Sequence, residues 1–211
     1  VLESIKNADY VFNFAGIADI YEANAEPYRS TEINILGNIN LLDACLESKV
    51  KRYIFASSLY VYSNVGGFYR CSKQACEGYI EEYQRQYSLD FNILRFGSLY
   101  GLRSSENNAI YQFIKEAFTK KKITYNGSSD ALREYIHVED AAGICAEILE
   151  DKYRNQYITI TGQQSKRVSD ILNMIQEMMG EKIEFEYKSD DKNSHYGVTP
   201  YTFNPKLGKI F

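Results

Sequence analysis

Residues 52–73, RYIFASSLYVYSNVGGFYRCSK, decide the fold. Tyr53, Ile54 and Phe55 form a short apolar run that stops at the small residues Ser57 and Ser58, the pattern of a parallel strand buried on both faces. The carboxyl ends of such strands border the ligand crevice of an open α/β sheet, because the loops there diverge. Beyond the Gly66–Gly67 pair a helix is expected, on which Tyr69 and Lys73, four residues apart, share a face.

Serine, tyrosine and lysine in this order can couple proton transfer to the oxidation of an alcohol. A phenol titrates near pH ~10, and lowering it to ~7 takes roughly 4 kcal/mol. A neighbouring ammonium together with a cationic nicotinamide ring would supply that in a water-poor cleft. Ser58 would hydrogen-bond the same substrate oxygen. With 19 tyrosines in the chain, a Tyr-x-x-x-Lys arises by chance, and Tyr111 and Lys115 form a second one. No small-residue strand end precedes that copy, and Tyr111 falls on the periodic face of an ordinary helix, so Tyr69 and Lys73 are the catalytic candidates.

FASSLYVYS followed by YRCSK resembles the extended short-chain dehydrogenase/reductase superfamily, in its NAD-dependent nucleotide-sugar epimerase/dehydratase branch. NFAG at 13–16, NILGNINLLDAC at 34–45, LRFGSLYG at 94–101 and REYIHVEDAA at 133–142 extend the resemblance in the family's order. The resemblance implies a Rossmann-type doubly wound parallel sheet over residues 1–97. A smaller α/β substrate lobe follows over 98–211, with 133–160 returning to the sheet domain. It implies NAD as cofactor, with NADP left open, contacted by Ala15, Gly16, Ser57, Tyr69, Lys73 and Phe96. It implies a nucleotide-sugar substrate met by Ser58, Leu59, Tyr60, Ser98, Arg103 and Arg133, with Asn34 holding the active-site helix. It also implies a homodimer through the helices at 28–48 and 69–87. Family dehydratases carry proton-transferring residues where this chain has Leu59 and Tyr60, so a 4-epimerase leads, with reductase, decarboxylase and dehydratase behind it. The rival of another class is a non-catalytic NAD(P)-binding regulator. Ser98 and Leu102 depart from the family's usual Asn and Pro.

No Gly-x-Gly-x-x-Gly occurs anywhere in the sequence. The family's first strand and glycine-rich turn would precede residue 1, so the sequence reads as a fragment expected to bind NAD poorly and to be inactive alone.

A net charge of −4 offers no basic field for nucleic acid, and no apolar run is long enough for a membrane span. Cys45, Cys71, Cys76 and Cys145 lack metal-ligand spacing. Cys45, Cys76 and Cys145 fall on helix faces as small buried hydrophobes, which fits a reducing cytoplasm.

Along the chain, YVFNFAG from Tyr10 reads as a strand, and Pro27 opens a helix to Ser48 with Ile33, Leu36, Gly37, Asn40, Leu41 and Ala44 inward. A third strand, FNILRFG, is followed by an amphipathic helix over 108–122 that ends in solvated lysines. ITYNG, YITITG and KIEFEYK read as strands and Val168–Met179 as a helix, with Met174, Met178 and Met179 as core filling. His137 is expected to make a structural hydrogen bond. Arg103 and Arg133 are expected to face the crevice together, where two guanidinium groups call for an anion such as a diphosphate.

Overall fold

The computed structural model describes residues 2–189 and 195–202; the end of the tail from 203 lies outside them. In chain order the first elements are α1 (Leu2–Ile5), β1 (Tyr10–Asn13), α2 (Ile20–Ala25) and α3 (Pro27–Thr31). A π-helical turn at Glu32–Leu36 leads into α4 (Gly37–Glu47), and β2 (Arg52–Ser58) follows. A 3-10 turn at Leu59–Tyr62 then precedes α5 (Gly67–Tyr87), β3 (Phe91–Phe96) and β4 (Ser98–Tyr100). The rest comprises α6 (Ala109–Lys120), β5 (Lys122–Asn126), β6 (Leu132–His137), α7 (Val138–Glu147), β7 (Gln156–Ile160), β8 (Ser165–Arg167), α8 (Val168–Met179) and β9 (Glu184–Lys188).

Four parallel strands form the main sheet in the order β1-β2-β3-β7. Side chains alternate along a strand, so the central strands feed two cores. Tyr53 and Phe55 of β2, with Phe91 and Ile93 of β3, pack on Leu42 and Cys45 of α4 and on Cys76 and Ile80 of α5. Ile54 and Leu94 turn to the opposite face and meet Ile136, Ala141, Ile148 and Ile160. Cores on both faces explain why the run at 53–55 is apolar throughout, and they give the doubly wound arrangement that the run predicts.

A third core belongs to the second half of the chain. Phe113 and Ala117 of α6, Ile123 of β5 and Val168, Leu172 and Ile175 of α8 close it, and β5 and β9 pair in parallel beside it. Met174 and Met178 do not fill this core as expected. They project to solvent, because Val168, Leu172 and Ile175 define the inward face of α8, and only Met179 packs partly against it. YVFNFAG pairs only as far as Asn13, leaving Phe14, Ala15 and Gly16 in the loop at the sheet edge.

The helix from Pro27 corrects the expected stripe. Asn34, Asn38, Leu42 and Cys45 face inward, while Ile33 and Leu36 are exposed. The cause is the π turn, which adds a residue to one turn and rotates everything before it relative to a regular 3.6-residue period. Within the widened turn the Asn34 carbonyl accepts a hydrogen bond from the Cys76 thiol at 3.1 Å, so the bulge is tied to α5.

The start of α5 is held from a distance. Its cap residue Gly66 has φ +101 and no side chain to offer, and a Cβ there would lie 2.6 Å from the Tyr60 ring. Asn24 of α2 supplies the cap, its Oδ1 accepting the Phe68 N–H at 2.9 Å. Asn24→Ala should lower unfolding free energy by about 1 kcal/mol, read as an earlier urea midpoint with an unchanged slope.

Candidate active site

β2 and α5 deliver the three expected catalytic groups to one place. Ser58 ends β2, its Oγ accepts the Tyr60 N–H at 3.3 Å, and its hydroxyl is near enough to Tyr69 to favour the ionised phenol. Lys73, one turn further along α5, is 7% exposed; its Nζ lies 5.8 Å from the Tyr69 ring centre and donates to the Ala56 carbonyl at 2.6 Å. The electrostatics differ from the expectation of an activated phenol. Burial pushes Tyr69 above its ordinary range, and the nearby Ser58 hydroxyl only partly offsets this. Burial likewise pushes Lys73 down to about 8 against the pull of Cys76 and Glu77. Desolvation, which favours the neutral form of each group, is the largest influence on both.

Asn34 bridges two segments beside the site. Its Oδ1 accepts the Ile17 N–H at 2.7 Å, and its Nδ2 donates to the Ile17 carbonyl and the Ser72 hydroxyl, both at 3.0 Å. One amide thus clamps the loop after β1 to the residue beside Lys73. Gly16 makes room for it, since at φ +150 a Cβ would stand 2.9 Å from Asn34 Oδ1. At the same sheet edge the exposed Phe14 ring lies 6.2 Å from that of Phe96. The open Ala15–Gly16 backbone, this apolar edge and the Tyr69–Lys73 face fit the nicotinamide half of a dinucleotide. Ser57 departs from its expected role as a cofactor contact: its hydroxyl points under the sheet edge and donates to Glu77 at 2.5 Å.

On the substrate side an aromatic wall continues from Tyr69. The Tyr60 ring meets Tyr69 edge-on at 6.1 Å and lies 4.7 Å from Tyr196, and the Arg133 guanidinium covers Tyr196 at 4.6 Å. Ser98 lies beside the Tyr196 hydroxyl and slightly offsets the rise that burial causes there. Arg133 is 8% exposed; it donates to the Leu132 carbonyl at 2.9 Å and the Tyr125 hydroxyl at 3.4 Å, with no carboxylate partner among the described residues. Its neighbour Glu134 accepts instead from Ser165 at 2.8 Å. Arg133 and Tyr196 line a cavity of about 450 Å³ with Tyr125, Tyr187 and His195.

Two expected substrate contacts are corrected. Leu59 is 0% exposed and belongs to the core, because the 3-10 turn directs it inward. Arg103 is exposed in the loop before α6, and no hydrogen bond, ion pair or ring contact among the described residues joins it to Arg133 or Tyr69. His195 is the residue that sequence reading missed. Its Nδ1 lies 2.6 Å from the Tyr60 hydroxyl, a contact across 135 positions that no local spacing announces. His137 caps α7 by accepting the Glu139 N–H at 3.3 Å. Lys115 pairs with Glu106 at 3.1 Å on an exposed face, so the second Tyr-x-x-x-Lys is a surface feature. Among the described residues no cluster could hold a metal, and no helix is long and apolar enough to cross a membrane.

With this geometry in place, comparison with known proteins gives the class. The model of the NAD dependent epimerase/dehydratase family matches residues 1–160, and the chain belongs to that family. It is similar to the uncharacterized UDP-glucose epimerase YtcB of Bacillus subtilis, 24% identical over 84% of this chain and 61% of that protein. It is also similar to the UDP-glucuronate 4-epimerase of Thermodesulfobacterium geofontis, 23% identical over 84% of this chain and 59% of the other. The chain thus spans about three fifths of these relatives' lengths. Among solved structures, the UDP-N-acetylglucosamine 4-epimerase of Methanobrevibacter ruminantium, in complex with UDP-N-acetylmuramic acid, superposes with a TM-score of 0.87 at 25% identity. The match covers 96% of this chain and 70% of that one.

The depressed Lys73 pKa has a stability consequence. A lysine that titrates at about 8 folded and 10.5 unfolded opposes folding below pH ~8, and the penalty fades as pH rises toward ~10.5, because the unfolded state then holds the extra proton. Lys73→Met should therefore unfold later than the parent at pH 7, and the difference should shrink as denaturation is repeated up to pH ~10.

Proposed function

We propose that the full-length protein is an NAD-dependent nucleotide-sugar 4-epimerase. The observation that carries this is the meeting of Ser58, at the end of β2, with Tyr69 and Lys73 on one face of α5. NAD, when bound, would supply the hydride acceptor and donor at the sugar carbon. Tyr69 takes the proton from the hydroxyl being oxidised and gives it back to the re-formed alcohol, while Ser58 orients that oxygen. Lys73, Tyr69, Ala15, Gly16 and Phe96 would hold the nicotinamide half.

The position next to Ser58 argues against elimination of water. Leu59 carries no proton, and burial pushes the Tyr60 phenol up, so it stays neutral and cannot serve as a base. Retention of serine, tyrosine and lysine together at one sheet edge weighs against a non-catalytic binder. Arg133, buried without a carboxylate partner among the described residues and facing a cavity, supports a diphosphate at the substrate's nucleotide end. The exposed Tyr28, Ile33, Leu36, Tyr79 and Tyr87 on the stretches 28–48 and 69–87 support a homodimer through those helices. Four free cysteines support a cytoplasmic setting.

Tyr69→Phe in the full-length protein should lower turnover of the best UDP-sugar in a panel at least ~100-fold, as loss of a general acid/base does. Near-normal turnover would overturn the assignment. Arg133→Ala should raise KM for the same compound at least as much as it lowers kcat, because the contact is remote from the reacting carbon. An unchanged KM would remove the diphosphate reading.

A further inference from the structure

One buried ion pair lies beneath the catalytic groups. Glu77 Oε1 accepts from Ser57 Oγ at 2.5 Å and from Arg95 Nε at 3.0 Å, and Glu77 Oε2 accepts from Arg95 Nη2 at 2.6 Å. Arg95 Nη1 donates to the Tyr62 hydroxyl, and its guanidinium lies 4.5 Å from the Tyr62 ring centre and 4.4 Å from that of Tyr157. Both charged side chains are buried. The unit joins β2, the turn after it, α5, β3 and β7, and each junction near the site is one step from a catalytic group. Ser57 precedes Ser58, and Glu77 follows Lys73 by one helical turn.

Desolvation offsets most of the attraction in a buried ion pair, so well-packed apolar side chains of similar volume would join these elements at least as firmly. What they could not provide is directed hydrogen bonding and charge. We propose that Glu77 and Arg95 are positioning residues for the catalytic helix, fixing α5 against the end of β2 and keeping a negative charge one turn from the Lys73 ammonium.

This inference rests on reading Lys73 as catalytic. The groups facing Lys73 are Tyr69, Cys76 and Glu77 from its own helix and the Ala56 carbonyl and Phe55 ring from β2. Of these, Glu77 is the carboxylate, and it raises the proton affinity that burial lowers. Arg95 holds that carboxylate by two bonds, so it cannot swing toward solvent.

The test reads Lys73 directly, without turnover. The full-length protein is prepared with lysine labelled with ¹³C at Cε, and the Lys73 resonance is assigned by its loss in Lys73→Met. Its chemical shift is then followed with pH. In Glu77→Gln the midpoint should fall by about one pH unit, a tenfold loss of proton affinity. Glu77→Asp, which keeps the charge, should hold the midpoint within a few tenths of a unit. If Glu77→Gln does not fold, Glu77→Gln with Arg95→Met leaves neither charge unpaired, and Lys73 should again titrate below its parent value. An unchanged midpoint in a folded variant lacking the carboxylate would overturn the proposal. Because the readout is a titration, its failure is separate from failure of the epimerase assignment, which the turnover of Tyr69→Phe decides.

Discussion

The structure depends on burying a polar stripe along α5. An ordinary amphipathic helix turns apolar side chains to its sheet, but α5 turns Ser72, Lys73 and Glu77 inward beside Cys76 and Ile80. Each of these polar groups has to recover in hydrogen bonds what it loses in hydration. Ser72 donates to the Tyr69 carbonyl and accepts from Asn34, Lys73 donates to Ala56, and Glu77 is saturated by Ser57 and Arg95. The partners come from β2, β3 and the π turn, so those elements have little freedom to move relative to the helix. The arrangement of the sheet around residue 58 is in this sense a consequence of the side chains that the helix must satisfy.

How much of this the sequence shows depends on whether the signal is local. β2 and the Tyr69–Lys73 face were legible because one strand period and one helical spacing define them, and α8 was bounded at Val168 and Met179 by its own amphipathic period. The inward stripe of 28–48 was not legible, since a π turn is a one-residue change that a fixed 3.6-residue period cannot register. Asn34 was found by resemblance, while its partners Ile17 and Ser72 lie 17 and 38 positions away.

The site residues divide in the same way. Ser58, Tyr69 and Lys73 sit within one strand-turn-helix unit and come together as read. Arg133 was expected at a crevice as an unpaired guanidinium and it lines a cavity, yet its neighbours Tyr125 and Tyr196 come from separate segments of the lobe. Arg103 was paired with it on the strength of chain position alone. Its φ of +63 marks a turn residue, and its side chain is exposed. His195 reaches Tyr60 only through the folding of the second half of the chain onto the first.

The charge balance at the site follows from the same burial. Lys73 is pushed down and Tyr69 up, so desolvation drives both groups toward their neutral forms. With its pKa raised, the Tyr69 phenol beside Ser58 is a proton donor before it is a base. A phenolate at Tyr69 needs further positive charge close by, and Lys73 alone does not supply it while its Nζ is turned to the Ala56 carbonyl. A cationic group entering beside the open Ala15–Gly16 loop would act at short range in a poorly hydrated space, where Coulomb terms are largest. Without such a group the Tyr69 phenol stays neutral, while Lys73, lowered only to about 8, keeps most of its charge at neutral pH.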